Sequence, residues 1–295
     1  MMLRSTVEGN QESGVSFFRR VDVVVGNIKC KIRNNKYMNR IDKLFQEKGN
    51  NILSVYFTAG YPELDDTVKV MRALEKNGVD MLEIGVPFSD PMADGPVIQA
   101  SGAAALRNGM SLKVLFNQLT DVRQTVSIPL VLMGYLNPIV QFGFENFCRE
   151  AARCGIDGFI IPDLPFTEYM ESYRPVAEKY GLHMIMLITP ETSEERIRMI
   201  DRHTSGFIYM VSSASVTGAK DRFSDENLAY FRRVNAMQLK NPRLIGFGIS
   251  NKDTFEAACH EASGAIIGSK FISLLGSEKS IDEAAKKLIV AIDPK

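Results

Sequence analysis

Two carboxylates, Glu83 and Asp94, are the residues whose type and spacing best suit moving protons. They lie in Met-Leu-Glu-Ile-Gly-Val-Pro-Phe-Ser-Asp-Pro-Met-Ala-Asp-Gly-Pro, residues 81–96, on either side of a Pro-rich turn. Leu82, Ile84 and Val86 bracket Glu83, so a β reading places its carboxyl at the C-terminal end of a buried strand. Burial disfavours the charged form of an acid, and a carboxyl whose pKa rises toward neutrality can both give and take a proton. Read alone, Glu83 could instead be paired with a buried Lys or Arg, and Asp94 before Gly95-Pro96 could be a plain turn residue. The elements that position them decide.

Short β-branched runs alternate with stretches of helical period from Asn51 onward, the pattern of parallel strands joined by crossovers. Strands are expected over Ile52–Thr58, Asp80–Gly85, Pro129–Met133, Asp157–Ile161, His183–Ile188, Gly206–Val211, Leu244–Phe247 and Ala265–Ile267. Helical segments between them include Glu63–Asn77, Val97–Arg107, Leu112–Val126, Phe166–Tyr180 and Glu226–Leu239, and Ile281–Ile292 ends the wrap. Eight such units fit a (β/α)8 TIM barrel with a parallel eight-stranded core. A doubly wound open sheet is the alternative, but no Gly-x-Gly-x-x-Gly follows the first strand. In a barrel the C-terminal strand ends converge, which brings Glu83, Asp94, Tyr135, Asp163, Tyr209, Gly248 and Gly268 toward one face. Gly246-Phe247-Gly248-Ile249-Ser250 and Gly268-Ser269 then form glycine turns, each opening a helix, where backbone N–H groups can meet a phosphate. Thr217-Gly218, in the polar stretch Ser212–Asp225, could close over the same anion.

Composition removes several other classes of function. Lys plus Arg equals Asp plus Glu at 35 each, so no overall field selects nucleic acid or an anionic membrane. No run of about 18 apolar residues is present to span a bilayer. Cys30, Cys148, Cys154 and Cys259 lack zinc-site spacing and disulfide-scaffold density, which suits a reducing cytoplasm. His183, His203 and His260 are scattered, which argues against a metal site and a Ser-His-Asp triad. Residues 1–37 carry seven basic side chains against three acidic ones and are expected to be a disordered or mis-called extension. A single barrel domain is expected over 38–295.

From about Met38 onward the sequence resembles the tryptophan synthase alpha chain family. The longest shared signature is Leu82-Glu83-Ile84-Gly85-Val86-Pro87-Phe88-Ser89-Asp90-Pro91 with Ala93-Asp94-Gly95-Pro96. Phe57-Thr58-Ala59-Gly60, Pro162-Asp163-Leu164-Pro165, Val216-Thr217-Gly218 and Gly246-Phe247-Gly248-Ile249-Ser250 accompany it. The resemblance implies retro-aldol cleavage of indole-3-glycerol phosphate to indole and glyceraldehyde 3-phosphate. Such a cleavage protonates indole carbon 3 and removes a proton from the neighbouring hydroxyl, work for a carboxyl that gives and takes protons. Glu83 matches the family's catalytic Glu, and Asp94 matches its catalytic Asp, which would accept the indole N–H. Tyr209 aligns with an active-site Tyr, to hydrogen-bond near the reacting carbon or to position Glu83.

The family pocket holds indole among apolar side chains, for which Tyr56, Ile98, Leu132, Met133 and Phe207 are the candidates, with Thr58 a further substrate-binding candidate. Gly248, Gly268 and Ser269, with Thr217 and Gly218 closing over them, remain the residues expected at the phosphate. Lys220 and Lys270 are poorly placed for a Schiff base, lying in the polar loop and after the phosphate turn. The segment Ser213-Ala214-Ser215-Val216-Thr217-Gly218 departs from the family's Arg-x-Gly-Val-Thr-Gly form at Ser213 and Ser215. Family membership further implies a β-chain partner in an α2β2 heterotetramer, with pyridoxal phosphate held only by β. Asp90, Asn137, Pro138, Asp163 and Pro165 match segments that face it. Another sugar-phosphate barrel lyase or isomerase, or a silent subunit that only activates β, are the alternatives; the joint presence of Glu83, Asp94 and Tyr209 argues against the silent subunit.

Overall fold

Alternate side chains of strand β1 (Ile52–Thr58) go to opposite faces. Leu53, Val55 and Phe57 join an outer apolar layer beneath the helices, whereas Ile52 joins a separate inner cluster. The same division holds along β2 (Met81–Gly85), where Met81 is inner and Leu82 and Ile84 are outer. It continues in β3 (Leu130–Met133), whose Val131 and Met133 face inward and whose Leu130 and Leu132 face the helices. Two concentric apolar layers of this kind are what a sheet closed on itself produces. The computed structural model describes residues 38–212 and 222–293. The barrel unit begins at Arg40, and the extension expected over 1–37 lies outside the described residues.

The remaining strands are β4 (Gly158–Ile160), β5 (His183–Met184), β6 (Met186–Ile188), β7 (Ile208–Val211), β8 (Arg243–Gly246) and β9 (Gly264–Ile267). Every paired neighbour is parallel, in the order β5-β4-β3-β2-β1-β9-β8-β7-β6. The two ends of that order, β5 and β6, are separated in sequence only by Ile185. They are two halves of the single expected strand His183–Ile188, one half paired to β4 and the other to β7. The sheet therefore closes as an eight-stranded barrel, and the open doubly wound alternative is set aside.

Helical expectations needed three corrections. The segment Leu112–Val126 is a helix only over Leu112–Gln118, followed by a 3-10 turn at Val122–Gln124. Thr120 and Asp121, poor helix formers, mark the break, and the Thr120 hydroxyl donates to the Phe116 carbonyl at 3.2 Å. Phe166–Tyr180 carries a π turn at Tyr169–Tyr173 just before Pro175, whose missing N–H cannot continue regular pairing. Arg40–Glu47 is a helix outside the strand–helix units expected from Asn51 onward, whereas Ser269–Ser277 is the helix expected to open at Gly268-Ser269. The first closes the N-terminal mouth of the barrel, with Ile41 in the inner cluster and the Phe45 ring 5.9 Å from that of Phe207.

The N-terminal end is also where the buried charge sits. Asp157, 3% exposed, accepts from Arg40 Nη1 at 3.0 Å, from Arg123 Nη2, and from the Leu130 N–H at 2.9 Å. Arg123 spends further N–H groups on the Gly155 and Ile128 carbonyls. Replacing Asp157 with Ala leaves the Arg123 guanidinium without its counter-ion, and urea unfolding is expected to show a loss of about 3–5 kcal/mol. Residual activity of the folded fraction should be unchanged, because the opposite end carries the cavity. No helix of the described residues is long and apolar enough to cross a membrane.

Candidate active site

At the C-terminal strand ends, β1 presents Tyr56, the loop after β2 presents Asp94, and β7 presents Tyr209. All three line one cavity of about 520 Å³, counted with its open mouth. Glycines make that crowding possible. A Cβ on Gly85 would fall on the Tyr56 hydroxyl and one on Gly246 on the Tyr209 ring, so neither strand end tolerates a side chain beside these phenols. Ile98, Met133, Phe247, Ile249 and Ile266 add apolar lining, and Gly248, Gly268, Ser269 and Lys270, which follow β8 and β9, line a second end.

That second end suits an anion. Gly248 has φ 78° and follows Phe247 at φ 69°, a left-handed pair that turns the chain sharply after β8. Phe247 holds this uncommon backbone with its ring 6.1 Å from that of Tyr209. Ser269 and Lys270 open the helix Ser269–Ser277, whose N-terminal dipole favours negative charge. A cation in a helix's first turn is disfavoured by that dipole unless an anion lies between them. Lys270 lines the cavity at this helix start.

Asp94 is held at the other end. Its Oδ2 accepts from the Tyr135 hydroxyl at 3.2 Å, and the same hydroxyl oxygen accepts the Ala93 N–H at 3.0 Å. Tyr135 thus ties down the loop that follows β2, with its ring 5.2 Å from that of Phe88. Burial raises the Asp94 pKa and the Tyr135 hydrogen bond partly restores it. Burial likewise pushes Tyr135 up to about 12.

Glu83 is placed differently from the expectation that both carboxylates face the cavity. It has no exposure and does not line the cavity wall. Its charge is nonetheless felt by Tyr56 and Tyr209, whose phenols burial holds well above their ordinary pKa. Glu83 Oε1 accepts from the Ser54 hydroxyl at 3.1 Å, while Oε2 is buried without a hydrogen-bond partner among the described residues. Burial pushes its pKa up to about 8, with the Ser54 hydroxyl pulling the other way. Burial therefore favours the neutral, protonated form of this carboxyl.

Of the other expected pocket residues, Tyr56, Ile98, Met133, Tyr209, Gly248, Gly268 and Ser269 meet at the cavity. Leu132 does not: it faces the helices in the outer layer, because its neighbour Met133 takes the inward position. Phe207 does not either, lying on the inner face but at the barrel floor against Phe45. Thr58 is 1% exposed and shares a 2.7 Å hydrogen bond with Ser101, so it supports the wall rather than forming it. Thr217 and Gly218 lie outside the described residues. Sequence reasoning missed Ser54, Lys270, Ile249 and the tie made by Tyr135. The alternation Ile52, Ser54, Tyr56 was the available signal for Ser54, since these residues must share a face.

Among the residues matched to a partner-facing surface, Asp90, Asn137, Asp163 and Pro165 are exposed. Asp163 Oδ1 accepts the Leu136 N–H at 2.9 Å, at the start of the helix Leu136–Phe142, which contains Asn137 and Pro138. Pro138 lines a surface groove with Phe88, Leu106 and Phe142.

A closed parallel barrel with buried carboxyl groups and a glycine turn at its C-terminal strand ends is of the class of barrel proteins whose sites lie at that face. The family model described as tryptophan synthase alpha chain matches residues 42–293. An alpha chain of Bacteroides thetaiotaomicron is 64% identical over 251 residues, covering 85% of this chain and 98% of its own length. One from Flavobacterium johnsoniae is 57% identical, covering 82% and 96%. The crystal structure of the alpha subunit from Legionella pneumophila str. Paris superposes with a TM-score of 0.78 at 37% identity, covering 88% of this chain and all of its own. The chain belongs to the tryptophan synthase alpha chain family. It is a lyase subunit, cleaving indole-3-glycerol phosphate in tryptophan biosynthesis.

Proposed function

We propose that Glu83 and Asp94 divide the retro-aldol chemistry between them, with the buried, protonated Glu83 as the acid and then the base. The substrate phosphate would lie at Gly248, Gly268, Ser269 and Lys270, and the indole against Tyr56, Ile98, Met133 and Tyr209, with its N–H toward Asp94. Glu83 gives its proton to indole carbon 3, and positive charge spreads to the ring nitrogen. The Asp94 carboxylate accepts the N–H and stabilises that charge in a water-poor cavity. Glu83, now a carboxylate, takes the hydroxyl proton from the adjacent carbon. The carbon–carbon bond breaks, its electron pair restores the indole ring, and the alcohol becomes the aldehyde of glyceraldehyde 3-phosphate. Glu83 ends protonated, as it began. The single observation that carries this reading is the full burial of Glu83 on β2 directly opposite Tyr56, a residue of the cavity wall.

The partner follows from the family: an alpha subunit works with a β chain. We infer an α2β2 assembly in which Asp90, Asn137, Pro138, Asp163 and Pro165 belong to the docking face and pyridoxal phosphate stays in β. The exposed Met92 and Val140, 93% and 47% accessible, support an apolar contact on the same rim. A cytoplasmic location is supported by the buried free thiols Cys148, Cys154 and Cys259. The test is indole release from indole-3-glycerol phosphate by the purified chain, with and without β, alongside its size in the mixture. Release that β raises, with a complex of two chains of each kind, is the expected result. No release under either condition sinks the assignment of roles, and release without any complex sinks the partner.

A further inference from the structure

We propose that Ser54 is a positioning residue that holds Oε1 of Glu83 and so assigns proton exchange with the substrate to Oε2. The inference rests on the acid–base role given to Glu83 above. Ser54 lies on the inner face of β1, opposite Met81 in the register with β2 and opposite Ile266 in that with β9. It has no exposure, and its surroundings are apolar side chains of the inner cluster, so a hydroxyl at this depth needs a polar partner. It finds one in Glu83 Oε1 at 3.1 Å. The two oxygens of one carboxyl are thereby made unlike. Oε1 is committed to an acceptor role in either protonation state, because a hydroxyl can donate to a carbonyl oxygen as well as to a carboxylate. Among the described residues Oε2 is buried and has no hydrogen-bond partner, so the transferable proton is assigned to it. Bound substrate would supply an acceptor for that proton.

Two consequences follow. The hydrogen bond fixes which edge of the carboxyl is presented, which is orientation in the sense that governs proton-transfer rates. It also favours the charged form, so it tempers the burial that raises the Glu83 pKa and leaves the conjugate base accessible for the second proton transfer. The ionisable groups that feel Glu83 among the described residues are Tyr56 from β1 and Tyr209 from β7, and burial keeps both phenols neutral. Neither supplies a positive charge that could replace Ser54.

The test compares Ser54→Ala and Ser54→Thr with the unaltered protein. Carboxyl carbon resonances followed by NMR against pH, with Glu83→Gln identifying the resonance, read the Glu83 titration without any need for turnover. Ser54→Ala is expected to move that titration to higher pH and Ser54→Thr to return it. In the lyase assay with β present, Ser54→Ala should lower kcat about tenfold, leave KM within about twofold, and carry the alkaline limb of the rate profile upward. Thr should restore both. An unmoved titration overturns the proposal, as does a kcat loss that Thr does not restore. A rise in kcat would also overturn it, because the bond would then be holding the carboxyl away from its work. Should Ser54→Ala fail to fold, Ser54→Val set against Ser54→Thr makes the same comparison at constant shape. If the unaltered protein releases no indole, the role given to Glu83 fails, while the titration still decides what Ser54 does to it.

Discussion

Glu83→Gln is expected to lower indole release by about 10³-fold, with KM changed much less, because the amide keeps the shape of the side chain but can neither give nor take the proton. The same substitution should make the protein more stable at alkaline pH. Glu83 has a folded-state pKa near 8 against an ordinary value of 4.5. Below 4.5 both folded and unfolded chains hold the proton, and burial of the neutral acid carries no charge penalty. As pH rises toward 8 the unfolded chain releases its proton while the folded chain keeps it, so the wild-type protein loses stability across this window. Above the folded pKa the loss is complete. Gln has no such window, so urea unfolding at about pH 5 and about pH 9 should show the variant gaining on wild type only at the higher value. Activity within tenfold of wild type would place the acid–base group elsewhere, and an advantage independent of pH would mean that Glu83 is already ionised when folded. Loss of function with gain of alkaline stability is the signature of a carboxyl kept dry for chemistry.

The second large effect belongs to Asp94. Asp94→Asn removes the negative charge opposite the developing positive charge of the indole ring while keeping the size of the side chain. A fall in kcat of about 10²–10³-fold is expected, with a small change in KM, since the charge it stabilises exists only on the way to the transition state. The pH profile separates its contribution from that of Glu83. The proposed roles need Asp94 ionised and Glu83 protonated, so the rate should fall on the acid side as Asp94 takes a proton and on the alkaline side near pH 8 as Glu83 loses one. The Asn variant keeps the alkaline limb and loses the acid one. Tyr135→Phe should move the acid limb upward, because the Tyr135 hydroxyl lowers the Asp94 pKa and its loss leaves burial unopposed. An acid limb that survives in Asp94→Asn would have to come from a different group, and the role given to Asp94 would fall with it.

Much of this site could be read from residues 81–96 and the glycine turns, because those features are local. Glu83 between Leu82 and Ile84 announces a carboxyl on a buried strand, and Gly268-Ser269 announces a helix start with free N–H groups. Barrel closure then follows from counting strand–helix units, even though the structure interrupts the fifth strand at Ile185. What was misjudged depended on depth and parity. Leu132 and Met133 are adjacent apolar residues, and nothing in their chemistry says which faces the cavity. Lys270 was set aside as lying beyond the phosphate turn, yet the first turn of Ser269–Ser277 carries it back to the cavity wall.

By itself the amino-acid sequence determined the alternation of strands and helices, the parallel barrel class, and the presence of two carboxylates and glycine turns near strand ends. These properties depend on neighbours within a few residues, where periodicity and turn chemistry act directly. Only the tertiary structure decided that Phe207 sits at the barrel floor while Tyr209, two positions on along the same face, reaches the cavity. Only it brought the Ser54 hydroxyl to Glu83 across 29 residues of chain and left the other carboxyl oxygen unpaired among the described residues. The physical reason is strand stagger. The height of a side chain inside a barrel is set by the tilt and register of every strand around the ring, a property of the closed sheet that no single segment contains.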